Sequence, residues 1–420
     1  MPHGKAFRQI KALSKGGTGL FQSMATAVQD ANSPIAIQCC RQFSSAAQGC
    51  FKASDLMIQR IEQPKARQDT KDLVFGQSFT GHMFLVEHVE GQGWGQPVIK
   101  PFGNISMHPA AQALHYGVCC FEGMKGYLGK DGKARLFRPD MNMARMKRSM
   151  TRLRLADFDA DELLECLKEL LRIDKDWLPH QEGYSMYIRP FAFSSAHTLG
   201  ISKPSRSTIA IVMSPVGPYF PTGLKPISLF IDEHNVRAWP GGVGNNKVGT
   251  NYAPTIGPQS DAADTYGTSQ VLYSFPQGGQ PDDALVSECG AMNLMFFLQK
   301  ADGNTHELVT PPLDGTILPG VTRDSVLQLT RGWGEFEVSE RQLSIKEIKQ
   351  AAKDGRLLEM FGCGTACIIQ PVTTLIRANG EEYTVPFDLT RMDTLTQRLT
   401  RALTDIHFAN VPHEWSVAID

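Results

Sequence analysis

Arg237-Ala-Trp-Pro-Gly-Gly-Val-Gly-Asn-Asn-Lys247-Val-Gly-Thr-Asn-Tyr252 sets one lysine among a proline, three preceding glycines and one that follows. Glycines allow backbone torsions closed to other residues and let the chain approach a ligand closely. A lysine fixed there, with few charged neighbours, is open to desolvation and a lowered pKa, as an amine nucleophile requires. A nucleotide-binding P-loop is excluded by spacing. That motif needs Gly directly before the lysine and Ser or Thr after it, whereas Asn246 and Val248 flank Lys247 here. A surface lysine on an ordinary loop stays open on this stretch alone.

Downstream, Gly315-Thr-Ile-Leu318-Pro319-Gly320-Val321-Thr322-Arg323 runs into Asp324–Leu329, which reads as a helix. A Pro-Gly turn that opens a helix leaves N–H groups such as those of Val321 and Thr322 free for an anion. A second anion cradle is read at Gly362-Cys-Gly364-Thr365-Ala366, where glycines permit a nest of backbone donors. Between them, Val286-Ser-Glu288-Cys-Gly290 contributes one acid.

Upstream, Ser214-Pro-Val-Gly-Pro-Tyr-Phe-Pro-Thr-Gly223 reads as a stiff connector between two domains, placing a boundary at 214–223. The small N-terminal domain is expected over 61–213 and the larger one over 224–420. A site between them would draw residues from both. Asp159–Leu171 is an amphipathic helix by the spacing of Leu163, Leu164, Leu167, Leu170 and Leu171, with Asp159 and Glu162 as a capping box. Met143, Met146, Met150 and Leu153 predict a second helix, and Leu395, Leu399, Leu403 and Ile406 the last. Strands are expected at Leu73–Phe75, Thr80–Val86, Thr208–Met213, Ile227–Ile231 and Gln270–Phe275, with ordered structure starting near Asp72. The class is mixed α/β or α+β.

The 420 residues are 42% hydrophobic and 20% charged, with a net charge of −1. That balance gives no electrostatic footprint for nucleic acid or an anionic membrane. No run approaches the roughly 18 apolar residues of a membrane span. The nine cysteines lack zinc or disulfide spacing, so reduced thiols and no metal are expected. The first fifty residues hold five basic side chains against one acid, Asp30. This Ser-, Ala- and Gln-rich stretch reads as a mitochondrial or plastid transit peptide, with a leader over 1–60 and a mature start near Ser44.

Phe121-Glu-Gly-Met-Lys, Asn142-Met-Ala-Arg145-Met, Tyr187-Ile-Arg189-Pro and Ser214-Pro-Val-Gly-Pro-Tyr219 stand in that order along the chain. With the Lys247 loop, Glu288-Cys-Gly-Ala-Met-Asn293, Leu318-Pro-Gly-Val-Thr-Arg323 and Phe361-Gly-Cys-Gly-Thr-Ala366, they resemble the eukaryotic branched-chain aminotransferases from about Phe75 to Trp415. The resemblance implies a two-domain, fold type IV enzyme dependent on pyridoxal 5'-phosphate and acting as a homodimer in the mitochondrial matrix. It implies reversible, ping-pong transamination of L-leucine, L-isoleucine and L-valine with 2-oxoglutarate.

By the same resemblance, Lys247 is the lysine that carries the cofactor and shuttles the proton. Glu288 looks like the partner of the pyridine nitrogen and Tyr252 that of the cofactor phenol oxygen. Arg145, Leu318, Gly320, Val321, Thr322 and Thr365 resemble the remaining cofactor contacts. Phe75, Phe121 and Tyr187 match side-chain pocket positions, as do Tyr116, Leu199 and Ile201 from the partner subunit. Thr365 and Ala366 are expected at the α-carboxylate, and Arg189 is a candidate for the second carboxylate of glutamate. Two departures stand out. Vertebrate members carry a CxxC after the Gly-Thr-Ala turn, but here Gln370 lies three residues beyond Cys367. Ala291 also stands where Ser or Thr is frequent. Rival readings are a D-amino-acid aminotransferase, an aminodeoxychorismate lyase, or a chain that kept the fold and lost catalysis.

Overall fold

β-Branched and aromatic runs dominate the chain between its amphipathic helices, and they pair into two mixed sheets. The computed structural model describes residues 49–63, 65–217, 225–388 and 390–419, which fall within one compact unit. The strands, in chain order, are β1 (Met57–Ile58), β2 (His82–Val89), β3 (Gly93–Trp94), β4 (Val98–Pro101), β5 (Cys119–Phe121), β6 (Met124–Leu128), β7 (Ala134–Phe137), β8 (Ser185–Ser194) and β9 (Arg206–Val216). They continue with β10 (Ile227–Asp232), β11 (Gln270–Phe275), β12 (Leu285–Cys289), β13 (Asn293–Gln299), β14 (His306–Thr310), β15 (Glu337–Glu340), β16 (Leu357–Gly364), β17 (Ile368–Ile376), β18 (Glu382–Thr384) and β19 (Ser416–Ala418).

The first sheet has the order β1-β4-β2-β9-β8-β6-β7-β19, with β3 on β2 and β5 on β8. The second runs β12-β11-β10-β17-β16-β13-β14-β15, with β18 on β17. The helices are α1 (Gln112–Tyr116), α2 (Pro139–Arg152), α3 (Ala160–Ile173), α4 (Ile256–Tyr266), α5 (Val321–Trp333), α6 (Ile345–Lys353) and α7 (Leu395–His407). In α2, Met143, Met146 and Met150 are buried at the predicted spacing, while Leu153 is the residue that ends the helix. α3 buries Leu163, Leu167, Leu170 and Leu171, and α7 buries Leu395, Leu399, Leu403 and Ile406. Strands β10 and β11 are parallel neighbours. A parallel pair needs a long crossover, and here the crossover carries the Lys247 loop and α4.

Several expectations change. Residues 49–60 are part of the fold, not of a leader. Phe51 is 4% exposed in the first core and packs against Phe84 and Trp94, while β1 adds to β4. Order therefore starts well before Asp72, and the expected processing point near Ser44 lies outside the described residues. Leu73–Phe75 is no strand. A short 3-10 turn over Thr70–Asp72, capped by Asp69, precedes it, and Gly76 at φ +70° turns the chain just after. Ser214–Val216 of the expected linker belong to β9, and 218–224 lie outside the described residues. The capping box at Asp159 is half present. Asp159 accepts from the N–H groups of Asp161 and Glu162, but the Glu162 carboxylate accepts from Ala53 N and Lys52 Nζ instead. Finally, β19 returns to pair with β7, so the first sheet also takes residues from the chain's end.

Candidate active site

The Lys247 loop follows the carboxyl end of β10, where ligand crevices of parallel strands lie. Its glycines are dictated by contact. A Cβ at Gly244 would stand 2.4 Å from the carbonyl oxygen of Thr316. The loop is tied to the first sheet through Phe121 N–H to Lys247 O (3.0 Å) and a Cys120–Val248 β-bridge, and to α2 through Lys247 N–H to Ser149 Oγ (2.9 Å). The lysine is thereby held between the two sheets. Its Nζ lies 3.0 Å from the Tyr252 hydroxyl and 4.8 Å from the centre of the Phe121 ring.

These groups face a cavity of about 270 Å3. Glu288, 3% exposed, lies on its wall at the end of β12. One carboxylate oxygen accepts from Leu318 N–H (2.8 Å) and pairs with the Arg237 guanidinium (2.5 Å); the other accepts from Asn293 Nδ2 (2.9 Å). Burial pushes the Glu288 pKa up, while the nearby charge of Arg237 and the Leu318 N–H oppose that rise.

Opposite stands the start of α5. Its N-cap is Gly320, which has no side chain to cap the first turn. The N–H groups of Val321 and Thr322 at the cavity wall are thus available to an anion. Gly320 is also required sterically, because a Cβ there would meet Asn293 Oδ1 at 2.1 Å. Arg145 reaches the same end from α2. Its Nε and Nη2 donate to Glu122 (both 2.8 Å) and its Nη1 to Pro319 O (3.0 Å). Two of the five guanidinium N–H groups remain beyond those three bonds.

The apolar wall comes from Phe75, Phe121 and Tyr187. The Phe75 ring lies edge-on to Tyr187 at 4.8 Å. Arg189 stacks over Phe121 (4.7 Å) and donates to the Tyr187 hydroxyl (2.9 Å). Thr365 and Ala366 border the cavity from the turn joining β16 to β17, and Ala291 lies on the wall as well. Tyr116, Leu199 and Ile201 do not line this cavity; they are exposed, Ile201 at 85%.

The sequence reading missed Arg237, Asn293 and Glu122, the three side chains that hold Glu288 and Arg145 in place. All three stand inside quoted stretches, but nothing in a motif tells which side chain will be paired across the fold. Among the described residues no cluster of metal-ligating side chains occurs. Among the same residues no helix is long and apolar enough to cross a membrane.

The pyridoxal phosphate implied by the resemblance meets suitable chemistry here. The uncapped α5 start and Arg145 suit a phosphate. A buried carboxylate suits a ring cation, a phenol suits an oxyanion, and Lys247 supplies the amine. Residues 119–375 match the family described as amino-transferase class IV. A branched-chain-amino-acid aminotransferase of Monosiga brevicollis is 46% identical over 376 residues, covering 90% of this chain and 94% of the relative. A mitochondrial one of Bos taurus is 45% identical over 381 residues, covering 90% and 94%. Relatives named cytosolic match as well. The solved structure of a branched-chain amino acid aminotransferase from Thermobaculum terrenum, described as the PLP holo form, superposes with a TM-score of 0.61. It is 21% identical and covers 82% of this chain and 100% of its own.

Proposed function

Since this chain belongs to the class IV aminotransferases, among the branched-chain-amino-acid aminotransferases, we propose that it transaminates L-leucine, L-isoleucine and L-valine with 2-oxoglutarate. The observation that carries this reading is the convergence of Lys247, Tyr252, Glu288 and the uncapped α5 start on one cavity with an aromatic wall. Pyridoxal phosphate, when bound, supplies the electron sink that makes a proton at the substrate Cα removable. Lys247 Nζ is the base that takes and returns that proton, and Tyr252, 3.0 Å away, orients it. Glu288 holds negative charge at the ring nitrogen, with Arg237 and Asn293 fixing its carboxylate. Val321, Thr322 and the spare Arg145 donors hold the phosphate, with Leu318, Gly320 and Thr365 completing the cofactor contacts.

Thr365 and Ala366 receive the α-carboxylate, and Phe75, Phe121 and Tyr187 exclude water around a branched aliphatic side chain. Such a wall separates substrates differing by one methylene by only roughly 1–3 kcal/mol. Arg189, between Phe121 and Tyr187, meets the second carboxylate of glutamate. The working form is a homodimer in which Tyr116, Leu199 and Ile201 serve the partner's pocket; their exposure in the single chain supports this. The basic, acid-poor first fifty residues support delivery to the mitochondrial matrix.

The test is the absorption spectrum of the purified protein before and after L-leucine, with no oxo acid present. The visible cofactor band should give way to that of the aminated cofactor, and Lys247→Ala should abolish both band and turnover while the protein stays folded. A band that answers D-alanine and ignores L-leucine would overturn the substrate class. No band after reconstitution would favour a non-catalytic role.

A further inference from the structure

We propose that Lys125 is a positioning residue that pins the turn bearing Thr365 and Ala366 by donating a hydrogen bond to the carbonyl of Ala366. The inference rests on the reading above that this turn receives the substrate's α-carboxylate. The Lys125 Nζ to Ala366 O distance is 2.8 Å. Alternation along β6 puts Met124 into the first core and Lys125 with Tyr127 on the opposite face. There Lys125 meets the β16–β17 turn of the second sheet, so one side chain couples the two sheets at the substrate end of the cavity.

Three observations separate it from an ordinary core lysine. The side chain is 5% exposed, and among the described residues no carboxylate forms an ion pair with it. A buried ammonium without a counter-ion is a costly placement, and burial pulls its pKa down to about 8. The turn it grips is strained, since Ile368 at its end has φ +61°, a left-handed conformation that a β-branched residue rarely adopts. Strain of that kind persists only where the surroundings enforce it. Behind the turn lies a void of about 20 Å3 bounded by Lys125, Asn142, Thr322, Thr365 and His407. That space holds about one water and no side chain, so only solvent would replace the bond once it is cut, and Thr365 and Ala366 would lose their anchor.

The experiment uses the full-length, cofactor-loaded enzyme with K125M and K125Q. The first removes the donor; the second keeps a shorter, uncharged one. Readouts are KM and kcat for L-leucine and the dissociation constant of 4-methylvaleric acid, a carboxylate of the leucine skeleton without its amine. Melting temperature and the cofactor band verify folding. In K125M, KM and the dissociation constant should rise about tenfold or more, with kcat changed less than about threefold. K125Q should lie between K125M and wild type. An unchanged dissociation constant in either folded variant overturns the proposal, and so does an equal loss in both. If only one variant folds, its dissociation constant decides alone. A wild-type protein that neither binds 4-methylvaleric acid nor turns over L-leucine overturns the functional reading, and with it this role for the turn. Normal wild-type behaviour with unaffected variants overturns the Lys125 role only.

Discussion

The Glu122 carboxylate has no exposed surface, and it accepts from Arg145 Nε, Arg145 Nη2 and Asn142 Nδ2, each at 2.8 Å. Removing one partner of such a pair strands the other charge in a dry site, which costs about 3–5 kcal/mol. Glu122→Ala should therefore lower the unfolding free energy measured by chemical denaturation by an amount in that range. A loss under about 1 kcal/mol would mean that water reaches Arg145. Lys125 gives a second residue-scale prediction, with its sign fixed by linkage. Its pKa falls from 10.5 to about 8 on folding, so between those values the unfolded chain binds more protons than the folded one. Its contribution to stability therefore rises with pH across that window, by up to about 1.4 kcal/mol per pH unit. Subtracting the stability–pH curve of K125M from that of wild type should leave this rise above pH 8, and a flat difference would place water at Lys125. Neither Glu122 nor Lys125 was legible as functional in the sequence, though both sit in the Phe121-Glu-Gly-Met-Lys block. Lys247 and Glu288 could be picked out as candidates, because rare backbone and ordered motifs surround them, and both line one cavity. Partners such as Arg145–Glu122 and Lys125–Ala366 are set by sheets that meet only in three dimensions.

Among the elements, helices α2, α3 and α7 were legible because three- and four-residue spacing of large apolar side chains leaves few other folds. The short strands were not. Two- and three-residue pieces such as β1 and β19 carry no periodicity, and their place comes from the partner strand. The 49–60 segment was misread for the same reason: its hold is one aromatic, a two-residue strand pairing and scattered hydrogen bonds rather than a pattern. Phe51 fills the space beside Phe84 and Trp94, Ala53 N–H and Lys52 Nζ bind Glu162, and Ile61 N–H donates to His82 Nε2. A chain starting at residue 61 should be about 3–5 kcal/mol less stable than one starting at residue 49, the cost of deleting one buried Phe side chain. Thermal melts of the two forms decide it, and equal melting temperatures would show the segment to be loosely docked.

At the scale of the whole molecule, apolar surface is left on the outside beside the first sheet. Leu114 (59%), Leu199 (65%) and Ile201 (85%) are exposed close to one another, since α1 and the segment after β8 are tied together. Gln112 donates to the carbonyls of Gly200 and Ser202, and the Tyr116 hydroxyl donates to that of Leu199. A chain that spends buried polar groups on fixing exposed leucine and isoleucine is presenting them, and a patch of this kind marks an interaction surface. A second copy is the occupant consistent with the proposed function, because the cavity of one chain contains none of these three apolar side chains. Ile201→Asp puts a charge where a partner would have to bury it. Sedimentation should then show a shift from dimer to monomer, and leucine turnover should fall at least tenfold while the cofactor band survives, since Lys247, Glu288 and the α5 start all belong to the same chain. A variant that stays dimeric would move the interface elsewhere. A monomer with full turnover would show that each pocket is complete without its partner.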